Sequence, residues 1–266
     1  MSRLFVYLQK ILPKHLLSRI VGAIAMSEIR SIKTLFIFIF RQFAHVDLSE
    51  AERERPIDYV SFNDFFTRAL KPGLRPVTGE ISSPADGTVA ALGRIADGTL
   101  IQSKGHRYAL STLLGQEDVS EYLGGSFITI YLAPHNYHRV HTPCDAQLHS
   151  AKYIPGALFS VNQATAKHQP NLLALNERLV CRFRTNDGPL AAVLVGAMLV
   201  AGIQPIWLQE PYKPRLHVTT EMGRKFSQGA ELGRFQMGST VVLVFTKPID
   251  FAVTEGQIVK VGQALV

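Results

Sequence analysis

From Ile81 onward the apolar residues gather in short runs separated by Gly, Pro, Asn and Asp: Gly87 to Ala91, Phe127 to Leu132, Leu179 to Phe183, Ala191 to Val195 and Val241 to Phe245. Runs of this length at this spacing constrain the chain to a mainly β core, a barrel or a sandwich, with some helix around it. The patch from Leu110 to Leu123 is more helical and is placed on the outside. The last run is entered directly from Gly238-Ser239, so a strand should anchor one side of that peptide bond. Gly238 leaves the serine hydroxyl an open approach to its carbonyl and can hold backbone angles closed to other residues.

The first 45 residues read differently. They carry seven basic residues (Arg3, Lys10, Lys14, Arg19, Arg30, Lys33 and Arg41) against Glu28 alone, so they hold six of the chain's seven net positive charges. Residues 4–12 place Leu4, Leu8, Ile11 and Leu12 on one helical face, and Pro13 interrupts that helix. Leu35 to Phe40 is six consecutive large apolar residues, too short to span a bilayer, which could lie at acyl depth or under the domain. Charge confined to such a segment fits an anionic lipid surface, whereas a nucleic-acid partner would need it spread over a folded face. Charges at Lys10, Lys14 and Arg19 also break the pattern of a cleavable signal peptide. The expected organisation is a membrane-associating segment, 1–45, and a catalytic domain, 46–266, with Asp47 to Pro56 as a solvated helix start or linker. Cys144 and Cys181 lack metal spacing and read as two reduced thiols.

Three further stretches carry chemistry: Ser82-Ser-Pro-Ala-Asp-Gly-Thr-Val89, Tyr131-Leu-Ala-Pro-His-Asn-Tyr-His-Arg-Val-His-Thr-Pro143 and Gly238-Ser-Thr240. Taken singly, Asp86 is a turn aspartate, His141 a satisfied strand histidine and Ser239 part of a glycine turn. In order, spacing and wording, however, the three resemble the phosphatidylserine decarboxylase family. Further matches fall at Phe62-Asn-Asp-Phe-Phe-Thr-Arg68, Leu158 to Asn162, Asn176-Glu-Arg178 and Val195 to Met198. Met237 stands where the family often has leucine.

The resemblance implies a self-cleaving proenzyme. Asp86, His141 and Ser239 match its triad, in which the serine attacks the Gly238 carbonyl, and the chain ends as a 1–238 beta chain and a 239–266 alpha chain. The new N-terminus is a pyruvoyl group, which forms a Schiff base with phosphatidylserine, so neither metal nor pyridoxal phosphate is called for. The position matching His138 acts in decarboxylation. Its three-residue offset from His141 would put the two on opposite faces of an uninterrupted strand. Phe159, Ser160 and Asn162 match a segment near the substrate. The implied partners are phosphatidylserine, an anionic membrane at residues 1–45 and the two fragments for each other, with a homodimer of the pair left open; the implied location is peripheral, on the cytoplasmic face of the cell membrane.

Three rival readings remain, one of them a non-enzymatic lipid-binding β-domain with a basic anchor. The units at 84–89 and 255–265 look similar to those of lipoyl and biotinyl carrier barrels, but no displayed lysine lies between them. A metal hydrolase using His138, His141 and His135 or Asp86 would leave Gly238-Ser239 unexplained.

Overall fold

The computed structural model describes residues 6–7, 9, 14–103, 106–198, 202–212, 218–221, 223–236 and 239–266. Most of the predicted 4–12 helix, with Arg3, Lys10 and Pro13, lies outside them, as do Met237 and Gly238. The helices are α1 (Lys14–Ala25), α2 (Arg30–Ala44), α3 (Phe62–Phe66), α4 (Leu110–Leu114), α5 (Gln163–His168) and α6 (Leu172–Leu175). The strands are β1 (Gly87–Arg94), β2 (Thr99–Ser103), β3 (His106–Ala109), β4 (Ser126–Leu132), β5 (Arg139–His141), β6 (Ala146–Ile154) and β7 (Arg178–Thr185). They continue with β8 (Gly188–Gly196), β9 (Ile203–Pro205), β10 (Val218–Glu221), β11 (Lys225–Phe226), β12 (Glu231–Phe235), β13 (Ser239–Phe245) and β14 (Ile258–Val259).

Nine strands form one antiparallel sheet in the order β10-β6-β7-β8-β13-β4-β1-β14, with β11 on β6. The five sequence runs all fall inside its strands. Both faces are covered, which is why β13 and β8 read as nearly continuous apolar runs. On one face Ile128, Ile130, Leu132, Leu194, Val241 and Leu243 pack with Val140, Ile203, Leu232 and Phe235 of a small sheet ordered β5-β12-β9. On the other, Val193, Val195, Val242 and Val244 meet Leu110, Leu113, Leu172 and Leu173. The Leu110 patch is therefore not an outer element: three of the five residues of α4 are buried against the sheet. The sheet is open rather than a closed barrel. The units at 84–89 and 255–265 do pair, Gly87 opposite Val259, but as one end of this open sheet.

A third cluster joins the N-terminal helices to the segment that follows them. Ile37 and Ala44 of α2 pack with Val46, Leu48, Tyr59, Phe62, Phe65 and Phe66. α3 forms there because Ser61 caps it, its hydroxyl accepting from the Asp64 amide at 3.1 Å. The Leu35 to Phe40 run divides by helical periodicity: Phe36, Ile37 and Phe40 face this cluster, while Leu35, Phe38 and Ile39 face outward. Asp47 to Pro56 is solvated, with Asp47, Ser49, Glu52, Glu54 and Arg55 exposed, and ion pairs also tie it to the rest of the chain. Arg53 grips Asp64 through two bonds of 2.6 and 2.7 Å, and Glu50 meets Arg75 at 2.6 Å and Lys260 at 2.8 Å.

Candidate active site

β13 pairs with β4 while β12 pairs with β5, so the ends of two connections between the sheets are held together. One leaves β4 at Leu132, turns through Ala133–Tyr137 and enters β5 after His138. The other leaves β12 at Phe235 and enters β13 at Ser239. Asn136 shapes the first turn, its side-chain oxygen accepting from the Ala133 amide at 2.7 Å. The Phe235 amide donates to the His138 carbonyl at 3.0 Å, and Ser239 lies opposite Leu132. The register thus holds His138 against Phe235 and Leu132 against Ser239.

Ser239 is fully buried, and its hydroxyl has no hydrogen-bond partner among the described residues. An orphaned buried hydroxyl costs about 1–3 kcal/mol, so it is a group whose placement calls for a reason. Its lateral row is Leu132, Ser239, Gly196, with the Gly196 amide donating to the Glu177 carbonyl at 2.9 Å. A Cβ at Gly196 would sit 2.9 Å from Glu177 Oε1, so the glycine makes room for that carboxyl one strand away from the serine. Burial pushes the Glu177 carboxyl up to about 7, against the hydrogen bond it accepts from the Tyr153 hydroxyl at 2.9 Å.

The two histidines have different surroundings. His138 is fully buried, packs against Phe66 with ring centroids 4.1 Å apart and planes tilted by 41°, and donates from Nδ1 to the Asn136 carbonyl at 2.8 Å. That bond fixes the tautomer and leaves a lone pair on Nε2, which has no partner among the described residues. Burial, reinforced by the nearby Arg68, lowers its pKa to about 3. His141 is partly exposed. It donates from Nδ1 to the Gly229 carbonyl at 2.8 Å and accepts at Nε2 from the Tyr137 hydroxyl at 3.1 Å; burial lowers its pKa as well.

Asp86 is not hydrogen-bonded to His141. Its carboxylate accepts from Arg75 at 2.6 and 3.0 Å and from the Val261 amide at 2.8 Å. A backbone carbonyl, that of Gly229, orients the imidazole in its place. The strands still bring the two residues near one another, since the His141 amide donates to the Pro84 carbonyl at 2.8 Å. Among the described residues there is no cluster of three or more His, Cys, Asp or Glu able to hold a metal, and no helix long and apolar enough to cross a membrane.

A family model described as Phosphatidylserine decarboxylase matches residues 62–266, and a second, described as PSD, matches residues 4–43. The chain belongs to the phosphatidylserine decarboxylase family. Relatives named phosphatidylserine decarboxylase proenzyme include one from Alcanivorax borkumensis, 49% identical over 92% of this chain and 88% of its own length. Another, from Ectopseudomonas mendocina, is 45% identical over 99% of this chain and 98% of its own, and one from a Shewanella species (strain ANA-3) is 44% identical over 99% and 96%. This membership removes the support for the carrier and hydrolase readings.

In this phosphatidylserine decarboxylase family member the segment 159–162 is tied to the same row. Asn176 accepts from the Phe159 amide at 3.0 Å and donates to the carbonyls of Phe159 and Gly196, both at 2.8 Å. The Ser160 amide donates to Gln9, and Asn162 caps α5 by accepting from the Thr165 amide at 2.9 Å. Sequence reading did not single out Arg68, Arg75, Tyr137 or Glu177 as site residues. Arg68, Tyr137 and Glu177 did stand inside the motifs that carry the resemblance, and that membership was the available signal.

Proposed function

We propose that the chain is a self-processing phosphatidylserine decarboxylase that converts phosphatidylserine to phosphatidylethanolamine and CO2. The observation that carries this is the buried Ser239 hydroxyl, without a partner among the described residues, at the head of a central strand beside the connection bearing His138, in a family whose relatives are named proenzymes.

His141 enters cleavage neutral, with its basic nitrogen at Nε2, and takes the Ser239 proton after exchanging its bond to Tyr137. Asp86, held by Arg75, supplies negative charge that favours the resulting imidazolium. The serine oxygen bonds to the Gly238 carbonyl carbon and the peptide C–N bond breaks. Elimination of the ester frees the Gly238 carboxylate, and water then releases the former serine nitrogen as ammonia. Residue 239 finishes as a pyruvoyl group, whose ketone and adjacent amide carbonyl supply the electrophile and the electron sink for decarboxylation. The fit rests on what surrounds that position: an orphaned oxygen at 239 and an orphaned Nε2 on His138. His138 Nε2 takes a proton from the incoming serine ammonium and returns one to the carbon that CO2 has left. Phe159 and Ser160 lie on the substrate side, and Asn162 holds their loop through its helix cap.

Ser239→Ala should abolish a native two-band pattern on a denaturing gel. Intact mass of the wild type should show a 239–266 fragment lighter than its encoded mass by one ammonia. A wild-type chain of full encoded mass after prolonged incubation would defeat the reading.

The outward face of α1 and α2 is the membrane-binding surface in this proposal, on the cytoplasmic side of the cell membrane. Leu35, Phe38 and Phe43 are 60%, 60% and 82% exposed, beside Leu16, Ile20, Ile24, Met26, Ile29, Ile32 and Ile39. A monomer seldom shows so much contiguous apolar surface to water. Deleting 1–45 would also strip α2 from Phe62, so point changes are the cleaner probe. Phe38→Ser with Phe43→Ser should leave self-cleavage intact and weaken flotation with anionic vesicles at least tenfold, since burying each ring is worth roughly 1.5–3 kcal/mol. Equal flotation at equal salt would rule this face out.

A further inference from the structure

Arg68 comes just after Thr67, the C-cap of α3, and is only 4% exposed. One guanidinium nitrogen, Nη2, donates to the carbonyls of His135 and Asn136 at 2.9 and 3.3 Å, on the turn that leads into His138. The other, Nη1, is buried with no partner among the described residues. Nor does the guanidinium form a salt bridge there: Asp86, the carboxylate with the largest electrostatic effect on it, is engaged by Arg75 and the Val261 amide. The Phe65 ring lies 5.8 Å from the guanidinium carbon, and Tyr59 and Tyr137 are also close enough to act on its charge. A buried cation with an idle donor is costly unless an anion is meant to meet it.

We propose that Arg68 is an anion-binding residue of the site and that its Nη1 takes a phosphodiester oxygen of the phospholipid head group. This rests on the decarboxylase reading above and names how that substrate is held. Two anionic groups of the substrate could suit an arginine, and the chemistry selects between them. The carboxylate loses its charge as CO2 departs, so a charged hydrogen bond to it would be stronger before the reaction than in its transition state and would slow the step. The phosphodiester keeps its charge throughout, and binding it tightens the complex without opposing the chemistry. Arginine also matches the oxygens of a phosphate better than lysine does.

The test compares processed wild type, Arg68→Lys and Arg68→Met with a short-chain phosphatidylserine kept below its micelle concentration. KM should rise roughly tenfold to hundredfold in Arg68→Met, the loss typical of a hydrogen bond to a charged group, and less in Arg68→Lys, which keeps the charge beside His138. Calorimetric binding of short-chain phosphatidylethanolamine, which has the phosphodiester but no carboxylate, should weaken by the same factor. A fall in kcat at constant KM, or unchanged phosphatidylethanolamine affinity, would overturn the assignment. If both variants fail to fold, wild type still decides: a diacylglycerol with the same tails and no phosphate must bind much more weakly than the phosphatidylethanolamine, and equal binding overturns the proposal. A wild type that never cleaves or decarboxylates would defeat the decarboxylase reading instead, and leaves that same pair of lipids to judge Arg68.

Discussion

His138→Ala should still yield two fragments while decarboxylation falls by about two to four orders of magnitude, and His141→Ala should remain one uncut chain. The division follows from what each imidazole touches. His141 keeps its basic nitrogen on an exchangeable partner, the Tyr137 hydroxyl, and sits near the charge of Asp86. His138 is fully buried against Phe66, its carbonyl accepts from the Phe235 amide of β12, and its Nε2 has no partner among the described residues. Gel analysis of cleavage and CO2 release from the same preparations tests both halves, and equal loss of cutting in the two variants would contradict the division. Burial also gives His138 a pH signature. Its folded pKa, about 3, lies below the ordinary 6.5, so the unfolded chain binds the extra proton first as pH falls. Stability from this site is complete above pH 6.5 and is lost progressively toward pH 3.

Glu177→Gln should stabilise the uncleavable Ser239→Ala precursor at pH 8 and do little at pH 4. Here the sign is reversed, because the folded carboxyl titrates at about 7 against an ordinary 4.5. Between those values the unfolded chain has already ionised while the folded one has not, so stability declines as pH rises through the window and the full cost is present above it. A shift of that size corresponds to on the order of 3 kcal/mol. Glutamine retains an acceptor for the Tyr153 hydroxyl, so the comparison isolates the charge. Urea unfolding at the two pH values measures it, and the same change at both would mean that the carboxyl ionises freely in the fold.

The sequence made β4, β7, β8 and β13 legible because strands covered on both faces need apolar residues at almost every position. β6, Ala146 to Ile154, escaped notice because its first half alternates between buried and exposed residues, among them Gln147 and His149. α4 was placed outside because a five-residue helix is too short to show an apolar stripe, although Leu110, Leu113 and Leu114 are all buried. Ser239, His138, His141 and Asp86 stood out through motif wording. Their partners did not, because they depend on pairing over long separations: Glu177 reaches the Ser239 row only through Gly196, and Arg75 reaches Asp86 through a turn with no periodic signature.

β13 lies between β8 and β4, with seven residues paired on each side. Under the proposed cut this strand belongs to the 28-residue fragment, whereas both of its neighbours belong to the other. An edge strand could peel away, but this one leaves only if two ladders and two apolar layers open together. Order of events is therefore built into the architecture: the sheet is threaded while the chain is continuous, and the cut afterwards severs a connection without loosening what it connected. The finished enzyme would keep an arrangement that its separate pieces have no short route to rebuild, so folding would have to precede chemistry in every molecule that works.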